Sequence, residues 1–254
     1  MSYKFIKTSN EGGIVRVTLN SPPLNVLTIV MMEEMIEAFK WARKEPGAIV
    51  VVDAEGKAFS AGVDVADHTP DKVESMIDVF DRLFMAMDDI DKPIIGVING
   101  AALGGGYEVV LFCDMVIASE KARFGQPEIV VGVFPPVACY VLPRLLSWPK
   151  AMEYLLSGDA FNAATAEKLG LVNKVLPVDG FAEGVDEFLK KFTALSPVVL
   201  AYTKKAARAG LGKEFHEAIK KIDSIYLYEL MKTADAVEGL TAFMEKRSPV
   251  WQGK

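Results

Sequence analysis

The chain has 254 residues, 51% of them hydrophobic and 24% charged, with a formal net charge of −6. That length and apolar content suffice for one large core, or a core with an appendage. The acidic balance argues against nucleic acid or an anionic membrane surface as the main partner. No stretch approaches the ~20 apolar residues of a membrane span. The start, Met1-Ser2-Tyr3-Lys4-Phe5-Ile6, has no apolar run of signal-peptide length, so the expectation is a soluble, cytoplasmic protein. The two cysteines, Cys113 and Cys139, lie in apolar surroundings and are expected as buried free thiols. His68 and His216 are too far apart to suggest zinc, and no metal is expected.

In chain order, Phe5–Thr8 and Ile14–Leu19 read as strands around the turn Glu11-Gly12-Gly13. Val15, Val17 and Leu19 alternate with Arg16 and Thr18, as in a half-buried strand. Ser21-Pro22-Pro23 breaks the pattern. A helix is predicted from about Thr28, with Met32, Met35, Ile36 and Phe39 on one face, ending near Pro46-Gly47. Ala48–Val52 is a continuous apolar strand of the kind buried on both faces. Residues 54–64 form a loop rich in small residues. Asp71–Ile90 is the clearest helix, with Val73, Met76, Ile77, Phe80, Leu83, Phe84 and Met87 in one stripe; Met76, Met85 and Met87 read as core filler. Strands follow at Ile94–Ile98 and Met115–Ala118, then a loop over Arg123–Pro136. Further helices are predicted near Pro149–Leu156 and Ala163–Leu169, with a short strand at Lys174–Leu176. After Asp179 the chain reads as helix to its end, with Phe215, Ile219, Ile222, Tyr226 and Leu230 in a stripe and Lys246 and Arg247 closing the last helix. Alternating strands and helices followed by a helical tail define an α/β chain, divided as a core over 1–195 and a helical region over 196–254.

The stretch from Ile95 to Glu108 carries the chemistry. It passes from a short apolar strand through small residues into Gly104-Gly105-Gly106, and a helix then opens with Glu108 in its first turn. Glycines let the backbone approach a ligand, and the free N–H groups of a helix start favour an oxygen that is or becomes negative. That suggests an oxyanion hole beside an acid or base. Taken singly, the bland alternatives are strong: Glu108 could merely suit the helix dipole, Glu128 could be a surface charge, Asp64 could cap an ordinary turn, and Lys57 could sit in water. Ser60 lacks the Gly-x-Ser-x-Gly setting of a nucleophile and His68 has no evident partner. Val109 stands where a dinucleotide fingerprint needs its last glycine.

Together, Ser21–Asn25, Gly56–Asp64, Ile98–Glu108, Phe124–Glu128, Ala166–Val172 and Ala242–Arg247 give a chain that resembles the crotonase (enoyl-CoA hydratase/isomerase) superfamily over nearly its whole length. The second and third segments carry the resemblance most specifically. It implies a spiral of ββα units with a C-terminal helical region that builds trimers, often paired into hexamers, and an acyl-CoA thioester as substrate, with no separate cofactor. It implies that the N–H groups of Val63 and Gly105 hold the thioester oxygen. It also implies that Lys57, Ala58, Ala61, Asp64, Val65, Ala66 and Gly104 line the coenzyme A and substrate path. Glu108 and Glu128 match the two carboxylates of the hydratases, whereas isomerases commonly keep one of the pair. The expected reaction is addition of water across a C=C bond conjugated to the thioester, with Glu108 orienting and deprotonating the water and Glu128 supplying the α-proton, or the reverse. One departure stands out: Val133–Tyr140 replaces a glycine-rich run usual after Gly132. Phe134, Pro136, Val137 and Tyr140 are therefore expected to shape the acyl pocket, and the pattern resembles hydratases of cyclic dienoyl-CoA. A double-bond isomerase, a hydrolase of the same fold and a non-catalytic acyl-CoA binder are the competing readings.

Overall fold

The computed structural model describes residues 3–254. Strands β1 (Ile6–Glu11) and β2 (Ile14–Leu19) form a hairpin, and helix α1 (Ile29–Lys44) follows. Thr28 caps α1, its side chain accepting from the Met31 N–H, and Arg43 and Lys44 close it with the charge that its C-terminal end favours. Three similar turns of chain follow. The first is β3 (Ile49–Ala54), β4 (Ala58–Ser60) and α2 (Val73–Asp88). The second is β5 (Ile94–Ile98), β6 (Ala101–Leu103) and α3 (Gly105–Leu111). The third is β7 (Met115–Ser119), β8 (Arg123–Gly125), a 3-10 turn at Pro127–Val131, and α4 (Pro136–Leu145).

Each turn gives its first strand to one sheet and its second to another. The larger sheet runs β1-β2-β3-β5-β7-β10, closed by β10 (Lys174–Leu176), and is parallel apart from the β1–β2 hairpin. The smaller runs β4-β6-β8-β9, with β9 at Phe161–Asn162, antiparallel to β8. This is the expected ββα spiral. Strand β3 shows why its apolar run is continuous. Val50 and Val52 enter the main core with α1 and α2, while Ile49 and Val51 enter a second core with Val185, Phe188 and Leu189 of α7 (Phe181–Thr193). The aromatic rings of α2 lock onto α3's end, Phe80 meeting Phe84 edge-on at 4.8 Å and Phe84 meeting Phe112 at 5.2 Å.

Strands β4, β6 and β8 fall where the sequence suggests loop. Each has three residues, too few to display a period of two, and their pairing comes from neighbours distant in sequence. Helix α4 was also hidden: Pro136 opens it at a position where a proline fits, but the surrounding prolines read as loop. In α2 the predicted stripe is too wide: Ile77 is 38% exposed and Met85, expected as core filler, is 64% exposed, whereas Met76 and Met87 are buried.

The C-terminal region is not continuous helix. Helices α8 (Pro197–Gly210), α9 (Phe215–Tyr228) and α10 (Ala234–Glu245) are separated by turns, and residues 246–254 are irregular. The remaining helices, α5 (Trp148–Ser157) and α6 (Ala163–Lys168), lie before β10. Lys204 of α8 reaches Asp114 at 2.6 Å and the Lys92 carbonyl at 3.0 Å, tying α8 to the core. The predicted α9 stripe buries only in part within the chain: Ile219, Ile222 and Leu230 are half-buried, Phe215 is 70% exposed and Tyr226 exposed, and Ala218 and Ile225 are the fully buried positions. A stripe read from sequence says that a face is apolar, not what covers it.

Buried Asp235 anchors the last residues. It accepts from Ser196 Oγ at 2.6 Å, from Gln252 N–H at 2.7 Å and from Gly253 N–H at 3.1 Å. Asp235→Ala strands three donors, so a loss on the order of 2–3 kcal/mol is expected. Denaturant unfolding checks it, and a change within ~0.5 kcal/mol would contradict the anchoring role.

Candidate active site

The parallel strands β4, β6 and β8 all deliver their carboxyl ends to one place, the usual position for ligands in parallel α/β structure. After β4 comes Val63, after β6 come Gly104 and α3, and after β8 come Gln126 and Glu128. The register Leu103↔Gly125 sets Gly104 beside Gln126, and the Gly104 N–H donates to the Gly125 carbonyl at 3.0 Å.

The Val63 segment is held by a one-residue parallel bridge to Leu27. Leu27 N–H donates to the Gly62 carbonyl at 2.9 Å, and Asp64 N–H donates to the Leu27 carbonyl at 3.1 Å. Because the bridge uses the two neighbours of Val63, Val63's own N–H points the other way. Gly105 stands at the start of α3, where a backbone N–H has no intrahelical partner. Among the described residues neither N–H has an acceptor. The two segments touch: a Cβ at Gly62 would lie 3.6 Å from Gly105 N, and one at Gly105 would lie 2.7 Å from Val63 Cγ2. Gly104 has φ +52° and ψ −136°, a conformation that only glycine adopts without strain. The unpaired N–H groups of Val63 and Gly105 thus lie on two segments in contact with each other.

Support beneath them comes from residues that the sequence reading undervalued. Asn25 is fully buried and donates to the Glu55 and Ala58 carbonyls at 2.8 and 2.9 Å. Ser60, considered and set aside as a nucleophile, is also fully buried. Its Oγ donates to the Asn25 carbonyl at 2.8 Å and accepts from Gly62 N–H at 3.1 Å, which makes it a brace. The signal was present in the Ser21–Asn25 segment, but nothing local said that it would lie under residues 55–62.

Glu108 is 2% exposed. Its Oε1 accepts from Ala138 N–H at 2.8 Å, so the open first turn of α4 is aimed at it. Burial pushes its carboxyl up to about 8, with a further rise from Glu128 and opposition from the Ala138 and Val137 N–H groups. Glu128, on the 3-10 turn, is half-buried, and burial pushes its carboxyl up to about 7, against the pull of its own N–H. A Cβ on Gly104 would come within 2.8 Å of Glu128 Oε1, so this acid lies against the glycine turn. The two carboxylates also share a neighbour, since both raise the Cys139 thiol, after burial as the larger cause. Cys139 is exposed, contrary to the expectation of burial, because it sits on the open side of α4; Cys113 is partly covered and free.

The other expected site residues distribute as follows. Lys57 is exposed just before β4, Ala61, Val65 and Ala66 are exposed after it, and Ala58 is covered inside the strand. Asp64 caps the short turn after Val63 through the Ala66 N–H at 3.0 Å, and its carbonyl meets His68 Nδ1 at 3.0 Å. Phe134 is exposed, and Pro136 and Val137 are half-covered at the start of α4. Tyr140 is exposed one turn later beneath the Arg144 guanidinium, 3.5 Å from its ring. Gln126 was not foreseen. It is 1% exposed, with acceptors on one side of its amide and donors on the other, which assigns the amide nitrogen to the side of Glu128. There it donates to both Glu128 oxygens at 3.1 Å and lies 3.3 Å from the Gly104 carbonyl. Among the described residues no three His, Cys, Asp or Glu side chains gather as metal ligands would, and no helix is long and apolar enough to cross a membrane.

A ββα spiral with unpaired N–H groups and two acids, one buried and one half-buried, at its strand ends defines a class, and the class is the enoyl-CoA hydratase/isomerase family: its family model matches residues 9–254, and the chain belongs to it. Among relatives, the chain is 35% identical to cyclohexa-1,5-dienecarbonyl-CoA hydratase of Thauera aromatica, over 96% of this chain and 95% of that protein. It is 34% identical to the mitochondrial enoyl-CoA hydratase of Pongo abelii, over 94% of this chain and 83% of that protein. The crystal structure of the enoyl-CoA hydratase of Bacillus anthracis superimposes with a TM-score of 0.92 at 29% identity, covering 99% of this chain and 100% of that one.

Proposed function

We propose that this protein is a hydro-lyase that adds water across the C=C bond of an enoyl-CoA, with the thioester oxygen held by the Val63 and Gly105 N–H groups and the chemistry carried by Glu108 and Glu128. The observation that carries this reading is one buried and one half-buried carboxyl, both raised toward neutral pH, beside two unpaired backbone donors.

Attack of water at the β-carbon sends the π electrons onto the thioester oxygen. Aligned donors that need no reorganisation stabilise that charge, and losing one typically costs about 3–4 kcal/mol of barrier. The β-attack releases a proton, and the α-carbon must gain one. Two acids holding one proton between them can take the first and give the second. Glu108 deprotonating the water and Glu128 protonating the α-carbon is one assignment, and the reverse satisfies the same balance.

The pair loses its protons in two macroscopic steps. Below the first both acids are protonated and no base remains; above the second both are ionised and no acid remains. The kcat/KM profile is therefore expected to be bell-shaped with its maximum between about pH 7 and 8, following the raised values of about 7 for Glu128 and about 8 for Glu108. A plateau from pH 5 to 9 would contradict the two-acid scheme.

The acyl preference is set by the residues before and within the first turns of α4. Phe134, Pro136, Val137 and Tyr140 are bulkier than a glycine-rich run, and together with the likeness to the Thauera hydratase they favour a compact or cyclic dienoyl group over a long straight chain. The coenzyme A moiety is expected along Lys57, Ala61, Val65 and Ala66, beside Gly104. Exposed Phe215, Tyr226 and Phe243 support a homotrimer or a pair of trimers through the region over 196–254. The deciding assay follows loss of the conjugated enoyl absorbance with crotonyl-CoA, a longer enoyl-CoA and cyclohexa-1,5-diene-1-carbonyl-CoA. Turnover of at least one is expected; folded protein that binds all three and consumes none would leave an acyl-CoA binder instead.

A further inference from the structure

The structure assigns a positioning role to Asp67: it keeps the Val63 N–H in place by fastening the chain after Val63 to the start of α1. This rests on the reading above, in which that N–H meets the thioester oxygen. Asp67 lies in the short turn Val65–Asp67 and is 8% exposed. Its Oδ2 accepts from the Ile29 N–H at 3.2 Å, and its Oδ1 from Lys72 Nζ at 3.3 Å. Ile29 is the first residue of α1, whose own first turn holds no acidic residue. Thr28 Oγ1 serves the Met31 N–H. Asp67 therefore brings, from a distant segment, the acceptor and the negative charge that the helix start favours.

The two segments are stapled on both sides of Val63 and once beyond it. The Leu27 N–H donates to the Gly62 carbonyl at 2.9 Å, and the Asp64 N–H to the Leu27 carbonyl at 3.1 Å; the Asp67 bond is the outer staple. Helix α1 is a firm platform, with Met31, Met32, Met35 and Phe39 buried. The chain it holds is not firm by itself. Gly62 takes φ +103°, Val65 and Ala66 are exposed, and the bridge from Leu27 to Val63 is a single pair. So short a contact opens easily unless the chain beyond it is tied down. Lys72 is 48% exposed, so its ion pair with Asp67 adds little. The bond to Ile29 carries the restraint.

Asp67→Ala removes the acceptor. Ile29→Pro removes the donor and leaves the loop untouched: proline fits the first position of a helix, and Thr28, at φ −79° and ψ 160°, already has the extended backbone that a following proline demands. The probe is butyryl-CoA carrying carbon-13 at its thioester carbonyl, which has no double bond to hydrate. Isotope-edited infrared spectra read how strongly the bound carbonyl is polarised. In the wild type its stretch should fall in frequency on binding. Each variant should lose most of that fall, and Asp67→Asn, which keeps an oxygen for Ile29, should retain more of it than Asp67→Ala. In hydration, kcat should drop ~10-fold with KM within about threefold, because the donor matters most once charge builds on the oxygen. Asp67→Ala/Ile29→Pro should lose little more than the worse single variant, since both cut one bond. A carbonyl shift that survives in the single variants overturns the inference even if kcat or stability falls, as a merely structural role would give that result; fully additive losses in the double variant overturn it too. Should Asp67→Ala fail to fold, Ile29→Pro alone must lose the shift, and a retained shift overturns the inference. A wild type that binds butyryl-CoA with no carbonyl shift overturns the donor reading of Val63 itself, and Asp67's part with it.

Discussion

Glu108→Gln and Glu128→Gln are each expected to lower kcat for enoyl-CoA hydration by ~10²- to 10⁴-fold, the span of a general acid or base. The double variant should lose far less than the product of the two, because the acids share one proton and act as a unit. Substrate binding should change little, since the N–H groups of Val63 and Gly105 remain. Steady-state kinetics with calorimetric measurement of affinity separates the two effects. If one glutamate proved dispensable, the single-carboxylate isomerase reading would replace hydration.

The same substitution has an opposite effect on stability. Glu108 is raised from an ordinary 4.5 to about 8 by burial, so folding favours its protonated form. Its contribution is full below about pH 4.5, and it is lost as pH rises through about 8. At pH 9 the wild type keeps a buried charge that Gln lacks. Glu108→Gln should therefore melt higher than wild type at pH 9 and close to it at pH 5, with ~2–4 °C for each kcal/mol in a chain of this size. Activity and stability then pull against each other at this position. Equal melting temperatures at pH 9 would mean that the acid is not desolvated.

Gly106→Ala is the second large effect. A Cβ there would lie 2.5 Å from Ser60 Cβ, 2.6 Å from its Oγ and 2.9 Å from its backbone oxygen. Real Cβ atoms do not approach so closely, so α3 and β4 must separate. These two elements carry Gly105 and Val63, and Ser60 Oγ braces Gly62. Displacing one donor from the other by even ~1 Å is expected to lower kcat ~10²-fold, with a stability loss of ~1–3 kcal/mol from overpacking. Ser60→Gly removes the Cβ and Oγ that the new methyl meets, so Gly106→Ala/Ser60→Gly should recover part of the activity relative to the sum of the single losses. No coupling between the two positions would mean that the close approach of α3 and β4 does not set the donor geometry.

Some of this was determined by sequence alone. Val15, Val17 and Leu19 alternate, so β2 had to have one covered face. The unbroken run of β3 required cover on both, and α1 supplies one side and α7 the other. The three glycines before Glu108 required a backbone turn that side chains would block, and Gly104's conformation is the reason. The motif segments pointed to the family, and through it to both glutamates and to Val63 and Gly105.

Other features were decided only by the folded chain. Strands β4, β6 and β8 exist because each pairs with a neighbour twenty or more residues away; three small residues have no preference of their own strong enough to announce a strand. Glu108's raised pKa is a property of burial, to which the residue itself gives no clue. Ala138's N–H and Gln126's amide reach the acids through register and helix placement, and Cys139 faces outward because α4 presents that side. Local pattern fixes what a segment can be, since propensity and periodicity act over a few residues. Which polar groups meet, and which are stripped of water, depends on contacts that close long loops, and only tertiary packing sets those.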